Sequence, residues 1–398
     1  MVQSASPNAQ EQPVNTAAPI STSSDSAQTR FRDSLESLLK PADIQIDGAR
    51  PWDIQVRNPL FFQRVMAEGS LGLGESYMDG WWDCAALDQF VYRALQADLH
   101  LRIERRIAAL AESILARIVN FQSPTRSRQV IQKHYDLDAA FFMSFLDPYN
   151  QYTCGYFKDS ADLNKAQELK LDLICRKLNL SASDRVLDIG CGWGGFSKFA
   201  ASKYGCHVTG ISISDEQIRY AREFCSGLPV EILKCDYRKL KGSFDKVLVC
   251  GMLEHVGAKN YRRFMKIVHS VLKPDGIFLL HTIGGNKPQR RPDAWLHKYI
   301  FPNYLIPSIP ELGSAFRGLF CVEDWHNFGP YYDPTLMAWN ENFERAWPQL
   351  APKFDERFRR MWNYYFLCCA GYFRARRSQL WHVVMTKVGR SQPQVRYS

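Results

Sequence analysis

The amino-acid sequence predicts an α/β protein, a parallel sheet covered by helices on both faces, with a smaller α+β unit in front of it. Three observations carry that expectation. From about residue 130, apolar runs of strand length alternate with helical segments; the first such run ends in a glycine-rich turn; and the pattern before residue 125 is of another kind. A chain of 398 residues has room for two domains, each with its own core.

Residues 1–29 are rich in Ser, Ala, Gln, Pro and Asn, bury too little apolar area to order themselves, and are expected to form a disordered tail. They carry neither the basic nor the apolar segment of a secretory signal. Residues 30–125 make up the smaller unit. There "ADIQIDG" and "WDIQVRN" alternate apolar and polar residues as short strands do, and "FFQRVMAEG" has helical spacing. "LGLGESYMDGWWD" reads as a glycine-rich aromatic stretch, "LHLRIERRIAALAESILARIVNFQ" as a long amphipathic helix, and "SPTRSRQ" as a linker.

Residues 126–398 hold the alternating part. "DRVLDIG" is an apolar strand ending at glycines, and "FSKFAASKYG" is a helix closed by Gly205. "HVTGISIS" and "VEILKCD" are strands around the helix "EQIRYAREFCSG". "FDKVLVCGML" is the fourth strand, "NYRRFMKIVHSVLKPDG" a helix with a Pro-Asp-Gly stop, and "GIFLLHTIG" the fifth strand. "CVEDWHNF" and "LWHVVMTK" add two closing strands.

Composition narrows the function classes. No run of about 18 apolar residues occurs, so no segment is expected to span a bilayer. The eleven cysteines form no zinc-spaced pairs, and their odd number without an export signal points to reduced thiols in a cytoplasmic protein. From Lys353 onward ten Lys and Arg face only Asp355 and Glu356, which holds most of the net charge of +9. Such a basic face can meet nucleic acid, an anionic membrane or only solvent, and solvent is the simplest reading on charge alone.

The turn "VLDIGCGWGGF" carries chemistry. Gly190, Gly192 and Gly194 let a ligand approach the backbone at a helix N-terminus. A dinucleotide site calls for an acid at the end of the second strand, and "GISISDEQ" ends that strand on serines. Asp188, just before the turn, suits an ammonium group, as in the amino-acid end of S-adenosylmethionine; the lesser alternative is a turn-capping residue. Ser214-x-x-Gln217 has the spacing of a helix capping box. Asp236 either accepts from an adenine amino group or caps a turn. Together these features favour a methyltransferase over a dehydrogenase.

Read together and in order, "GLGESYMDGWWD", "KHYDLDAAFF", "QYTCGYF", "VLDIGCGWGG", "GMLEHVG", "LLHTIG", "KYIFPN", "VEDWHNFG" and "CCAGYFRARRSQLW" resemble the cyclopropane-fatty-acyl-phospholipid synthase family from about residue 35 to 385. The resemblance implies a Rossmann-like class I methyltransferase fold with a seven-stranded, mainly parallel sheet. It also implies an N-terminal domain that handles lipid, a homodimer, and a bound bicarbonate ion. The reaction it implies converts the methyl group of S-adenosylmethionine into a methylene bridge across a cis double bond of a phospholipid acyl chain. Such a reaction needs a dry site and a base that removes a proton without trapping the carbocation.

By family match the bicarbonate cradle is Glu254, His281, the Ile283 backbone, Tyr332 and the Cys154 backbone, with Glu323 supporting His281 or Tyr332. Bicarbonate keeps one O–H that can donate to Glu254. Tyr152 and Thr153 match positions at the cofactor's carboxylate end, Ser212 and Gln217 a ribose-contacting stretch, and Asp236 with Tyr237 an adenine edge. Cys369 lies where an active-site thiol has been assigned, although no step needs a covalent thiol. The thiol of Cys154 has no evident task either. Glu254, His255 and His281 lack a metal-like spacing.

An acyl chain needs an apolar tunnel, and "KYIFPNYLIPSIPELGSAFRGLF" supplies residues for a lid or wall between strands five and six. With a lipid substrate the basic C-terminal stretch becomes a candidate for peripheral attachment to the inner face of an anionic membrane, and nucleic acid drops out as a partner. The rivals are a related methyltransferase that leaves a methyl branch or acts on a small molecule, a non-catalytic lipid-binding protein, and, more distantly, a dinucleotide-dependent oxidoreductase.

Overall fold

The computed structural model describes residues 22–99, 139–289 and 291–397. The expected tail up to residue 21, the amphipathic helix beyond residue 99, the linker and the boundary at 125/126 lie outside the described residues. Helix α1 (Thr22–Leu39) takes in the last residues of the stretch expected as a tail.

The smaller unit departs from expectation in its strands. "ADIQIDG" and "WDIQVRN" pair in strand fashion at a single bridge, Ile46 to Ile54, and are otherwise tied by turn and side-chain hydrogen bonds such as Gln45 N–H to Asp53. Strand β1 (Gln55–Val56) pairs instead with β2 (Trp82–Asp83), antiparallel. The glycine-rich aromatic stretch, to which the sequence assigns no element, is largely helical. After α2 (Leu60–Glu68), it forms helix α3 (Ser70–Met78). Its glycines make close packing possible: a Cβ at Gly72 would lie 2.5 Å from the Arg64 carbonyl oxygen on α2, and one at Gly74 2.3 Å from the Trp295 ring. Each glycine costs about 1 kcal/mol of helix propensity, which close packing offsets. Helix α4 (Leu87–Gln96) completes the unit.

All seven strands expected in the second unit are present: β3 (Arg185–Ile189), β4 (His207–Ser212), β5 (Val230–Lys234), β6 (Phe244–Cys250), β7 (Leu272–Gly284), β8 (Phe320–Asn327) and β9 (Gln379–Lys387). They form one sheet in the order β5-β4-β3-β6-β7-β9-β8. β3 to β7 run parallel, and β9 is antiparallel to both neighbours. Between them lie α5 (Ala139–Met143), α6 (Leu163–Lys177), α7 (Gly195–Tyr204), α8 (Asp215–Phe224), α9 (Tyr261–Val271), α10 (Ala294–Tyr299), α11 (Ile309–Phe316), α12 (Tyr332–Leu350) and α13 (Glu356–Arg374).

The central strands are apolar on both sides because both faces are covered. Val186, Leu248 and Leu279 pack with Leu171 and Ile174 of α6 and Phe199 of α7. Their neighbours Leu187, Val249 and Leu280 pack with Phe264 of α9 and Leu312 of α11. The α9 helix stops at Val271, three residues before Pro274, which cannot continue it.

Helices α12 and α13 join the two units. Phe61, Trp82 and Phe90 from the first share one apolar cluster with Phe145, Trp339, Trp362 and Phe366 from the second. A Cβ at Gly371 of α13 would lie 2.4 Å from the Asp88 carbonyl oxygen. Arginines of the basic C-terminal stretch close the seam: Arg357 pairs with Asp79 (2.8 Å), Arg360 with Asp83 (2.7 Å), Arg374 with Asp88 (2.6 Å), and Arg377 with Asp98. These four arginines are therefore not part of a free basic face. Partly exposed pairs of this kind contribute about 0–1 kcal/mol each, so the shared apolar cluster dominates the seam. Among the described residues, no helix is long and apolar enough to cross a membrane.

Candidate active site

A cavity of about 2630 Å³ opens above the C-terminal ends of β3, β4 and β6 and extends into the smaller unit. Parallel sheets place ligand sites at this end. Its floor is the turn after β3. Gly190 (φ +81°) and Gly192 (φ +53°) adopt backbone conformations that favour glycine, and none of the described residues lies within 4 Å of a Cβ built on Gly192. The cradle is thus open to a ligand. Gly194 (φ +85°) differs from its expected role: it faces Ala221 and Cys225 of α8 and serves helix packing. Gly195 is the less obvious requirement, since a Cβ there would lie 1.7 Å from the Tyr149 carbonyl oxygen.

That contact brings the segment before α6 onto the turn. Asp147, which is buried, accepts from the backbone N–H groups of Tyr149 and Gln151, each at 2.8 Å, and so folds the chain back. The fully buried Lys170 of α6 donates to Gln151 Oε1 and, at 2.9 Å, to Thr153 Oγ1. Thr153 and Tyr152 consequently line the cavity, and the Tyr152 hydroxyl meets that of Tyr365 at 3.2 Å. Asp147, Gln151 and Lys170 escaped the sequence reading; a lysine inside an amphipathic helix carries no local sign of burial.

Asp188 lines the cavity and accepts from the Ser197 hydroxyl at 2.9 Å. Burial pushes its carboxyl up to about 7, against the opposing pull of Ser197 and Lys170. Ser212, Gln217, Asp236 and Tyr237 line the same half. Only half of the anticipated capping box forms. Ser214 Oγ accepts from the Gln217 N–H at 3.4 Å, whereas the Gln217 side chain accepts from Ser212 Oγ at 3.0 Å. Asp236 caps the next turn through the Arg238 N–H and pairs with the Arg238 guanidinium, which lowers its carboxyl to about 2.

On the opposite wall, Glu254 sits in a short turn after β6 and Ile283 at the end of β7. Glu254 Oε1 accepts from the Ile283 N–H at 2.8 Å; Oε2 is buried and, among the described residues, has no hydrogen-bond partner of good geometry, although the Glu254 N–H and the Thr282 hydroxyl favour the ionised carboxyl. Burial raises the carboxyl above its ordinary value. Tyr332 opens α12, stacked on Phe373 at 4.4 Å, and burial raises its phenol. Cys369 also faces the cavity, with its thiol pushed up to about 12 by burial and by Asp293. Cys154 and His281 lie just behind this wall. Cys154 is fully buried beneath the Thr335 hydroxyl (3.8 Å), and burial raises its thiol. His281 Nδ1 is 2.9 Å from His382 Nε2, and burial holds its ring neutral.

Glu323 does not take the supporting position expected of it. It is the extra residue of a bulge in β8, between Val322 and Asp324, and its carboxylate accepts from Thr386 Oγ1 at 2.5 Å. His382 stands beside His281 instead. Between β7 and β8, Leu296, Ile300, Phe301 and Tyr304 line the cavity as a lid or wall would, while Leu312 and Phe316 belong to the sheet core.

Neither cysteine is a thiolate, the carboxyls at Asp188 and Glu254 are raised, and the wall is otherwise largely apolar. This arrangement suits a proton acceptor in a dry chamber better than a protein nucleophile. The strand order, the glycine cradle and the buried Asp188 define a class I, S-adenosylmethionine-dependent methyltransferase. The chain belongs to the mycolic acid cyclopropane synthetase family, whose pattern matches residues 122–383. It is 50% identical over 350 residues to the cyclopropane-fatty-acyl-phospholipid synthase of Escherichia coli (strain K12), covering 88% of this chain and 92% of that one. The match is longer than the region of the family pattern and so takes in part of the smaller unit. Among solved structures it is similar to the cyclopropane synthase MmaA2 from Mycobacterium tuberculosis, with a TM-score of 0.61 and 27% identity over 67% of this chain and 100% of that one. It is also similar to mycolic acid cyclopropane synthase CmaA1 complexed with SAH and CTAB, with a TM-score of 0.60 and 29% identity over the same shares.

Proposed function

We propose that this chain forms cyclopropane rings on unsaturated phospholipid acyl chains, using S-adenosylmethionine and a bicarbonate ion. The observation that carries the reading is the unpartnered, buried Oε2 of Glu254 in a largely apolar cavity. An unsatisfied buried carboxylate oxygen is costly, and a ligand O–H would satisfy it.

S-adenosylmethionine supplies an electrophilic methyl group, and Asp188, Tyr152, Thr153, Ser212, Gln217, Asp236 and Tyr237 are the residues to hold it. The alkene's π electrons form the new C–C bond as the C–S bond breaks toward sulfur. A proton then leaves the transferred carbon, and its bonding pair closes the ring. Bicarbonate, when bound, would supply a base with little tendency to trap the cation. Glu254 accepts its O–H and can pass a proton onward, while Tyr332, His281 and backbone N–H groups offer donors to its oxygens. The Cys369 thiol, which faces the cavity, is held neutral by burial and is therefore itself only a weak nucleophile toward the cation.

The large cavity supports a long apolar substrate, being well above the usual range of about 300–1,000 Å³ for small-molecule sites. The smaller unit is the lipid-handling domain in this reading, and the protein works as a homodimer attached peripherally to the inner face of the cell membrane. The attachment cannot rest on Arg357, Arg360, Arg374 and Arg377, which the seam already engages.

The test is incubation with S-adenosylmethionine and unsaturated phospholipid vesicles, with and without bicarbonate, followed by lipid NMR. Loss of olefinic protons with gain of one CH2 is the expected result. A methyl branch would identify the rival methyltransferase, and full activity after rigorous bicarbonate removal would sink the proposed base.

A further inference from the structure

Strands β7, β9 and β8 carry one histidine each at matching positions. His281 lies across from His382, and His382 across from His326. Residues directly opposite one another share a face of the sheet, so the three imidazoles form a row. His281 is 1% exposed and His382 0%, and they are joined through Nδ1 and Nε2 at 2.9 Å. The row is not a metal site: among the described residues, no three His, Cys, Asp or Glu side chains are grouped to hold an ion.

Lys170 and Lys177 of α6 act on these rings, and Lys177 is itself paired with Asp324 of β8. Lys158 acts on His326. Burial and the lysines hold His281 and His382 neutral. Two neutral imidazoles joined by one hydrogen bond place one proton in it, which allows two tautomer pairs. If His281 donated from Nδ1, His382 would carry its own hydrogen on its Nδ1, which is buried and has no partner among the described residues. If His382 donates from Nε2, that same Nδ1 is a bare lone pair. Orphaned buried N–H groups are the rarer and costlier defect.

We infer that His382 is a positioning residue that donates from Nε2 to His281 Nδ1 and fixes His281 as its Nε2–H tautomer. His281 then offers the site a hydrogen-bond donor and no basic nitrogen. It can hold an anion but cannot itself be the base. The consequence for the anion rests on the proposed role of His281, but the tautomer is a property of the resting protein, so the two can fail separately.

The tautomer is read from long-range 1H–15N correlation spectra of the full-length, 15N-histidine-labelled protein without substrate or bicarbonate. His281 is assigned by the signals that vanish in His281→Gln. We expect a protonated Nε2 and an unprotonated Nδ1; a proton on Nδ1, or on both nitrogens, overturns the inference. In turnover, His382→Gln, whose amide can donate to His281 Nδ1, should retain most activity. His382→Met, which cannot donate, should lower kcat about 10–100-fold at unchanged KM for S-adenosylmethionine. Equal losses in both variants, or full kcat in His382→Met, would overturn the assignment. If either variant fails to fold, the spectrum of the unaltered protein still decides.

Discussion

The Ile283 N–H donates to Glu254 Oε1 at 2.8 Å and leaves Glu254 Oε2 buried without a hydrogen-bond partner of good geometry among the described residues. The backbone at the end of one strand thus fixes the orientation of a carboxylate that follows another. Glu254→Gln keeps an oxygen for Ile283 and puts an NH2 group in place of the unpaired acceptor. The expected result is unchanged folding and S-adenosylmethionine binding, with kcat lower by about 10²–10⁴-fold. Steady-state turnover beside calorimetric binding checks both halves; wild-type kcat would remove Glu254 from the chemistry.

Cys154→Ser should behave differently. Its thiol is buried and neutral, so the substitution removes no nucleophile and instead buries a hydroxyl, at a cost of about 1–3 kcal/mol if unpaired. We expect a lower melting temperature and partial activity, well above that of Glu254→Ala. Complete loss of turnover in folded Cys154→Ser protein would restore a chemical role to the sulfur.

Asp188 predicts two opposite pH dependences. Its folded carboxyl, at about 7, lies above the unfolded value of about 3.9. The raised value favours the folded state most fully below the unfolded pKa, and that contribution is lost as pH rises through about 7. Asp188→Asn should therefore gain stability relative to the unaltered ligand-free protein between those values, as urea unfolding at a series of pH values would show. Ligand affinity runs the other way. An ammonium group stabilises the carboxylate, so binding should weaken by up to about tenfold per pH unit below 7. A flat affinity profile would place the ammonium elsewhere.

Gly74→Ala tests the seam between the units. The new Cβ would sit 2.3 Å from the Trp295 ring, a buried and well-packed side chain. Overpacking of this kind costs about 1–3 kcal/mol, more than any gain in helix propensity. Denaturant unfolding should show net destabilisation; a stabilised variant would mean that the helices can separate freely.

Arg360→Gln should lower stability by about 1–3 kcal/mol, because it loses the Asp83 pair together with donors to the Tyr77 and Trp82 carbonyls. Flotation on anionic vesicles should be unaffected, because this guanidinium already faces the smaller unit. A drop in flotation without loss of stability would return the C-terminal arginines to the membrane surface.

The strands were legible because period and punctuation agree: apolar runs of strand length, the first ending at Gly190, alternate with helices that stop at Gly205 or before Pro274 and admit one reading. Helix α3 was not, since Gly72 and Gly74 look like loop residues until the Arg64 carbonyl and the Trp295 ring stand where their side chains would be. Glu254, His281 and Tyr332 could be singled out from their motifs, but motifs do not report cross-strand register. The bulge at Glu323 turns that carboxylate to Thr386, and the pairing of β7 with β9, about a hundred residues away in sequence, brings His382 to His281. Lys170 was hidden for a similar reason, as its partners lie on the separate segment around Gln151 and Thr153.

The shared cluster at the seam also sets an order of events in folding. Asp83 meets Arg360 across 277 residues of chain, and Trp82 and Phe90 share their cluster with Trp362 and Phe366. Contacts of such sequence separation form late, because a long loop must close before they stabilise anything. During synthesis the N-terminal unit emerges first, yet it cannot complete its core until the ribosome has delivered α13. The parallel sheet can assemble in the meantime. The cavity takes its walls from both units, so it is complete only once α13 has docked against the smaller unit.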